Sequence, residues 1–351
     1  MTKRAALILA GGQARRFQAK QEEWKDKALA RLFGKPLLVH VVEAINNVVD
    51  EIIICVNDEA RKSLYSKVLY EYSISYVKFC VDEKFAHVRG PIAAIATGLK
   101  SANADYCAVL SCDVPLMQPI VVDYLFNAVR GSSVAVPIWP DGRLESLIIT
   151  CERPIAAQIA VALCELGRRR PDDIIRGASK VTFVSTVGDL KNLDPEFKSF
   201  VNINFREDLT RLPTRVVENG PIKESLHLNV GCPSTPELER LKTASEYHRG
   251  GKFLEASGIF SSMSTYLESE GLNFWAAISR ENEGEALLSL SRRQGDMKMR
   301  GDNYVKSKAA FKKAAENYGL EAEIYEKNQV GFLANRARAD ELWSASRLLK
   351  P

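Results

Sequence analysis

Over the first 212 residues, short and almost purely apolar runs alternate with segments of helical period, and after Leu212 the alternation stops. Most of the runs at 5–10, 51–56, 74–81, 106–111, 133–138, 147–151 and 181–185 are near-continuously apolar, as strands covered on both faces should be. Between them, 36–48, 59–69, 91–101, 119–130, 153–166 and 206–212 carry apolar residues at helical spacing. Three of these open on proline, whose missing N–H costs nothing at a first helical position. Strands and helices taken in turn imply a mostly parallel sheet with helices on its faces, so the expected fold over 1–212 is an α/β three-layer domain.

The remainder has a different character. Residues 213–232 are rich in Pro, Gly and Asn with little period, and read as a linker. From 233 to 351 the pattern is helical almost throughout, with Ser234 or Thr235 available as a cap. Gly251, Phe253, Ala256, Phe260 and Met263 share one spacing with Tyr304, Ser307, Phe311 and Ala314. Small and aromatic residues at that spacing resemble the second helix of tetratricopeptide repeats, and an amphipathic bundle with no true repeat fits them as well. Trp275 and Trp343 are expected to anchor the helical core.

A chain of 351 residues exceeds one ordinary core, which agrees with two domains. A net charge of +4 suits a polyanionic small molecule as well as nucleic acid and selects neither. Seven cysteines contain no Cys-x-x-Cys, and most lie inside apolar runs, as reduced thiols of a cytoplasmic protein would. The opening "ALILA" is too short for a signal peptide, and no apolar stretch approaches the roughly 20 residues of a membrane helix, so neither membrane nor nucleic acid is expected as a partner.

The chemistry concentrates where strands end. "RAALILAGGQARRF" stops a buried strand at Gly11-Gly12 and then turns basic. Unpaired backbone N–H groups after a strand cradle anions, glycine lets phosphate approach, and Arg15, Arg16 and Lys27 supply matching charge. The stretch is neither a dinucleotide fingerprint, which needs a third glycine, nor a Walker loop, which needs Gly-Lys-Ser/Thr; a tight turn is the competing role. "YCAVLSCDVPLM" delivers Asp113 at the carboxyl end of a strand, where open α/β sheets bind ligands and a carboxylate can hold Mg²⁺ against phosphate, although the same residue also suits a helix cap. In "FVNINFREDL", Asn202 and Asn204 alternate off an extended segment; they can complete a metal shell, orient a phosphate or simply make an Asx turn.

"LILAGGQARRF", "DKALARLFGKPLL", "GPIAAIATGL", "VLSCDVPLM" and "NINFREDL", in that order through residues 4–209, resemble the molybdenum cofactor guanylyltransferases. The resemblance implies a Rossmann-like, GT-A-like nucleotidyltransferase domain that uses Mg²⁺ to transfer GMP from GTP to the phosphate of molybdopterin, releasing pyrophosphate. It places Leu9, Ala10, Gly11 and Gly12 in the nucleotide loop, Arg16 and Lys27 on the β and γ phosphates, and Asp82 and Gly90 along the guanine and ribose. It places Asp113 on the metal and Asn202 and Asn204 near the acceptor phosphate or a second metal position. An asparagine of the family falls at Asn57. The chain departs from the family after Phe17, where "AKQEEWKDK" sets Lys20, Lys25 and Lys27 in competition; the context of "DKALARLFGKPLL" favours Lys27. Gly12 and "GPIAA" look closer to the guanylyl pattern than to cytidylyltransferases or sugar-phosphate nucleotidyltransferases. A nucleotide-binding scaffold, working through a protein partner or self-association of the helical domain, is the reading from another class.

Other charged residues receive ordinary roles. His40, His87, His227 and His248 are isolated and read as structural or solvated. "GRRRPDD", 167–173, reads as a solvated helix end or as a contact for substrate phosphate. Asp141 and Arg143 flank an Asp-Gly hairpin turn.

Overall fold

The computed structural model describes residues 2–12, 15–17, 26–85 and 88–349. In chain order the elements are β1 (Arg4–Leu9), β2 (Arg31–Leu32), β3 (Lys35–Pro36), α1 (Leu37–Ile45), β4 (Glu51–Val56), α2 (Glu59–Glu71), β5 (Lys78–Val81), α3 (Pro91–Ser101), β6 (Tyr106–Ser111), α4 (Pro119–Ala128), β7 (Val134–Ile138), β8 (Ile148–Glu152), α5 (Arg153–Glu165), α6 (Asp172–Gly177), β9 (Lys180–Ser185) and β10 (Leu226–Asn229). Five long helices follow: α7 (Thr235–Arg249), α8 (Phe253–Ser269), α9 (Asn273–Arg293), α10 (Met297–Lys327) and α11 (Gly331–Leu349).

Contacts divide the chain into two compact units, one of 1–160, 169–175 and 180–229, the other of 161–168, 176–179 and 230–351. The first holds an eight-stranded sheet in the order β10-β9-β7-β8-β6-β1-β4-β5, with β2-β3 as a separate small ribbon. β1 lies parallel to both β4 and β6, while β8 runs antiparallel between β6 and β7. Alternation across β1 sorts the faces. Ala6, Ile8 and Ala10 join a core with α1, α2 and α4, whereas Leu7 and Cys55 face α3. Gly98 makes that second contact close: a Cβ there would lie 2.8 Å from Cys55 Sγ and 2.9 Å from Leu7 Cδ1.

Several expected boundaries move for identifiable reasons. Pro36 is not helical; it is extended in β3, and the helix starts one residue later with Leu37 N donating to Ala30 O at 2.9 Å. Pro91 and Pro119 do take first helical positions. β5 begins at Lys78 instead of 74, because Ser73 adopts a positive φ of 59° and Ile74 N donates to Leu69 O, closing the end of α2. Residues 206–212 form no α-helix; a single 3₁₀ turn, Arg206–Leu209, occupies the place. Part of the stretch read as a linker is strand: Leu226–Asn229 pairs antiparallel with β9 at the sheet edge. Only alternate residues of that edge strand are half-buried, which leaves a weak apolar signal.

The second unit is built on α7–α11. Ser234 caps α7 with Glu237 reaching back to its amide at 2.6 Å. Both stripes are internal: Ala256, Phe260 and Met263 of α8 and Phe311 and Ala314 of α10 are buried. Trp275 is a core residue whose indole donates to Gly177 O at 3.1 Å, but Trp343 is 47% exposed, edging Phe311 with the Arg347 guanidinium over its ring, so it is no core anchor.

In the basic stretch at 167–173, Gly167 and Arg169 are exposed as at a solvated end, but Arg168 turns inward onto carboxylates. Arg168 donates to Asp340 at 2.7 Å and to the Tyr318 hydroxyl at 3.2 Å. Beside it, fully buried Arg176 grips Glu321 through two bonds of 2.7 Å and Asp340 through a third, with its guanidinium 4.4 Å from the Phe274 ring centroid. Glu281 accepts from Tyr318 at 3.0 Å and Ser344 at 2.7 Å, and burial pushes its carboxyl up to about 7. Two guanidiniums thus meet three carboxylates in one apolar interior. Burial likewise raises Glu321 despite Arg176, whereas for Asp340 the two arginines outweigh burial and bring the carboxyl below its ordinary value.

Candidate active site

Parallel pairing brings the carboxyl ends of β1, β4, β5 and β6 to one edge of the sheet, and most candidate ligands follow those ends. Beyond β1, Ala10 N donates to Cys55 O at 2.9 Å, carrying the pairing one residue into the loop before Gly11 and Gly12 leave it. Gly11 passes close to the next strand end, where a Cβ would come within 3.2 Å of Asn57 N. At Gly12 a Cβ would meet no atom of the described residues within 4 Å. The space it leaves open suits a ligand oxygen drawn to backbone amides. Asn57 is exposed after β4, and Gly90, at φ 106°, opens α3.

The charged centre joins distant parts of the chain. Lys27 Nζ donates to Asp113 Oδ2 at 2.7 Å and approaches Asn204 Oδ1 at 3.5 Å; Lys27 and Asp113 side chains are only 12% and 19% exposed. Asp113 Oδ1 is buried with no hydrogen-bond partner among the described residues. The Asp113 carbonyl accepts from Ile203 N at 2.9 Å, which pins the 202–204 segment alongside. Ile203 buries itself against Phe17, Leu32 and Leu37, so its neighbours Asn202 and Asn204 alternate away from that cluster. Asn202 Nδ2 lies 3.4 Å from Phe200 O, and Asn204 N donates to Asp208 at 2.7 Å. Arg16 is exposed on the 3₁₀ turn Arg15–Phe17, which buried Phe17 anchors. Lys20, Lys25 and His87 lie outside the described residues.

Asp82 follows β5, with its amide bonded to Val56 O at 2.9 Å. One of its carboxylate oxygens is buried without a partner among the described residues, and burial pushes the carboxyl up to about 6. A raised carboxyl contributes stability that is full below the ordinary carboxylate range and is lost as pH rises through about 6. Asp82→Asn should therefore raise the melting temperature of the ligand-free protein at pH 8 and do little at pH 4. Melts showing an equal change at both pH values would remove Asp82 as the source.

Residues that sequence reasoning passed over complete the surroundings. Asp26 caps the 3₁₀ turn Lys27–Leu29 through Ala28 N at 3.0 Å, and Tyr65 and Arg61 of α2 reach it. Asp26 stood inside a quoted motif and Arg61 and Tyr65 at an i, i+4 spacing, but nothing local tied one to the other. Glu145 accepts from the Trp139 indole at 2.7 Å and from Arg215; burial raises its carboxyl, and the negative charge of Asp113 adds to that. Asp141 and Arg143 do make a turn, with Gly142 at φ 83°. His40 contacts Leu32 O at 2.8 Å, His227 the Thr182 hydroxyl at 3.1 Å and His248 the Ser289 hydroxyl at 3.5 Å, so all three have structural neighbours.

A glycine loop off the central strand, with a lysine and a strand-end aspartate facing each other beside it, is the arrangement of a nucleotidyltransferase. The model of the MobA-like NTP transferase domain matches residues 6–181, and the chain belongs to that family. It is 31% identical over 209 residues to the probable molybdenum cofactor guanylyltransferase of Methanosarcina mazei, a match covering 60% of this chain and 89% of that protein. The molybdenum cofactor guanylyltransferase of Shewanella sp. is 28% identical over 211 residues, covering 60% of this chain and 95% of its own. Among solved structures, molybdopterin-guanine dinucleotide biosynthesis protein A from Archaeoglobus fulgidus aligns with a TM-score of 0.48 at 24% identity, over 59% of this chain and 95% of that one. No helix among the described residues is long and apolar enough to cross a membrane.

Proposed function

We propose that the first unit transfers the guanylyl group of GTP to the terminal phosphate of molybdopterin, forming molybdopterin guanine dinucleotide and pyrophosphate. The Lys27–Asp113 pair at the end of β6, with one carboxylate oxygen left over, carries this reading. The relatives' names point the same way. An oxygen of the acceptor phosphate attacks the α-phosphorus, and the bond from that phosphorus to the α–β bridging oxygen breaks. The acceptor is already anionic near neutral pH, so the protein's work is alignment and charge neutralisation, with no general base needed. Leu9 and Ala10, the latter with its amide bonded to Cys55 O, lead the chain to Gly11 and Gly12, whose amides donate to phosphate oxygens, while Lys27 and Arg16 meet the β and γ phosphates. Asn57, Asp82 and Gly90 lie on the base and ribose side, and Asn202 and Asn204 on the acceptor side.

The residues present fit a divalent cation held in part by substrate. Asp113 offers an unused buried oxygen and Asn204 a carbonyl near it. Mg²⁺ is commonly bound by one or two carboxylates plus phosphate oxygens. When bound there it would supply charge neutralisation at the α-phosphate and the leaving pyrophosphate. Seven free cysteines, six of them buried, suit the cytoplasm. Every candidate ligand belongs to the first unit, which leaves the helical unit to a protein partner or self-association.

Base choice is tested by thermal shift with GTP, CTP, UTP and ATP at equal concentration with Mg²⁺. Ligands that bind only the folded state stabilise it in proportion to the logarithm of saturation, so GTP should give the largest shift. A CTP shift equal to or above that of GTP would move the assignment to a cytidylyltransferase.

A further inference from the structure

Helix α2 touches both ends of the segment that runs from the glycine loop to Lys27. Before the segment, Arg61 Nη1 donates to Gly12 O at 3.1 Å and lies 3.4 Å from Ala10 O. Beyond it, Arg61 Nε stands 3.7 Å from Asp26 Oδ2. One helical turn on, the Tyr65 hydroxyl sits 2.8 and 2.9 Å from the two Asp26 oxygens and 3.2 Å from Ala10 O. Residues four apart share a helix face, so one face of α2 reaches both ends at once.

We propose that Tyr65 and Arg61 are positioning residues for nucleotide binding: they latch Ala10 and Gly12 to Asp26 and thereby hold Lys27 at Asp113. The chain of contacts is continuous. Tyr65 and Arg61 fix the Asp26 carboxylate, Asp26 caps the turn through Ala28 N, and Lys27, first residue of that turn, extends to Asp113. Tyr65 is fully buried among acceptors, Ala10 O and the Asp26 carboxylate, so its one proton is required there. Burial, followed by the charge of Asp26, pushes the phenol far above its ordinary value and keeps that proton in place. The latch matters in this chain because 13 residues of sequence separate Gly12 from Asp26, and a lysine at the end of so long a connection needs an anchor independent of the connection itself. The inference rests on the reading of Lys27 as a phosphate ligand.

A double-mutant cycle on the full chain separates positioning from stability. The probe is GTP with Mg²⁺, its Kd read by displacement of a fluorescent GTP analogue. Tyr65→Phe keeps the ring and removes the hydroxyl; it should weaken binding about tenfold when Lys27 is present, the loss typical of one hydrogen bond to a charged partner. In a Lys27→Met background the same change should cost less than about twofold, because the residue it positions is gone. Arg61→Gln runs the same cycle from an intermediate-exposure site, so the test survives if Tyr65→Phe folds poorly. Equal losses in both backgrounds would overturn the latch while leaving Lys27 a ligand. Unchanged GTP affinity in Lys27→Met alone would overturn the Lys27 reading and the latch with it.

Discussion

Asp113→Asn is expected to abolish turnover, with pyrophosphate release falling on the order of 10³-fold or more while the protein still folds. The carboxylate sits beyond the end of β6 with one oxygen bonded to Lys27 and the other buried and unpartnered among the described residues. The amide keeps the shape and an acceptor for Lys27 but removes the negative charge. Charge at the reacting phosphates is what such a site exists to balance, so the loss should appear mainly in kcat and in Mg²⁺-dependent nucleotide affinity. Pyrophosphate release within tenfold of the parent would place the reacting centre elsewhere. A thermal melt alongside guards the interpretation, since Lys27 also loses its charge partner.

The largest expected effect on stability lies in the helical unit. Arg176→Met should cost about 3–5 kcal/mol, because it leaves buried Glu321 without the cation bonded to it and Asp340 with Arg168 alone. Methionine fills much of the volume, so the cost is electrostatic more than steric. The sign of its pH dependence follows. Without Arg176 the Glu321 carboxyl is raised further and Asp340 loses part of its lowering, and the stability of the variant should fall as pH rises from 5 to 8, widening its deficit. Denaturant unfolding followed by helical circular dichroism at both pH values checks this; a loss below about 1 kcal/mol at pH 8 would show that the cluster is replaceable by apolar packing.

The first-unit site was legible in the sequence to the extent that its residues follow strand ends. A strand buried on both faces must be apolar without interruption, so its end is visible as the point where polarity begins, and Gly11-Gly12, Asp82 and Asp113 all stand there. Lys27 was chosen by motif context, and its neighbour was not readable: Asp113 lies 86 positions away. The same holds for the Tyr65–Asp26 contact, 39 positions apart. Periodicity reports which side of an element is buried and says nothing about which buried polar group meets which.

That limit explains why Arg168 was misread while Arg169 beside it is exposed as expected. Arginines next to a helix end carry the local pattern of a solvated face, and only the packing of α9, α10 and α11 brings Glu281, Glu321 and Asp340 to meet Arg168 and Arg176. β10 is the converse case, a strand with too little apolar content to announce itself, made by its hydrogen bonds to β9. The sequence by itself determined the alternating strands and helices, the loop chemistry at their ends and the helical character beyond 233, because each depends on neighbours a few residues away. Tertiary structure alone decided the pairing of charges and the path of the edge strand, because a buried ion or an unpaired backbone amide must find a partner wherever the chain returns.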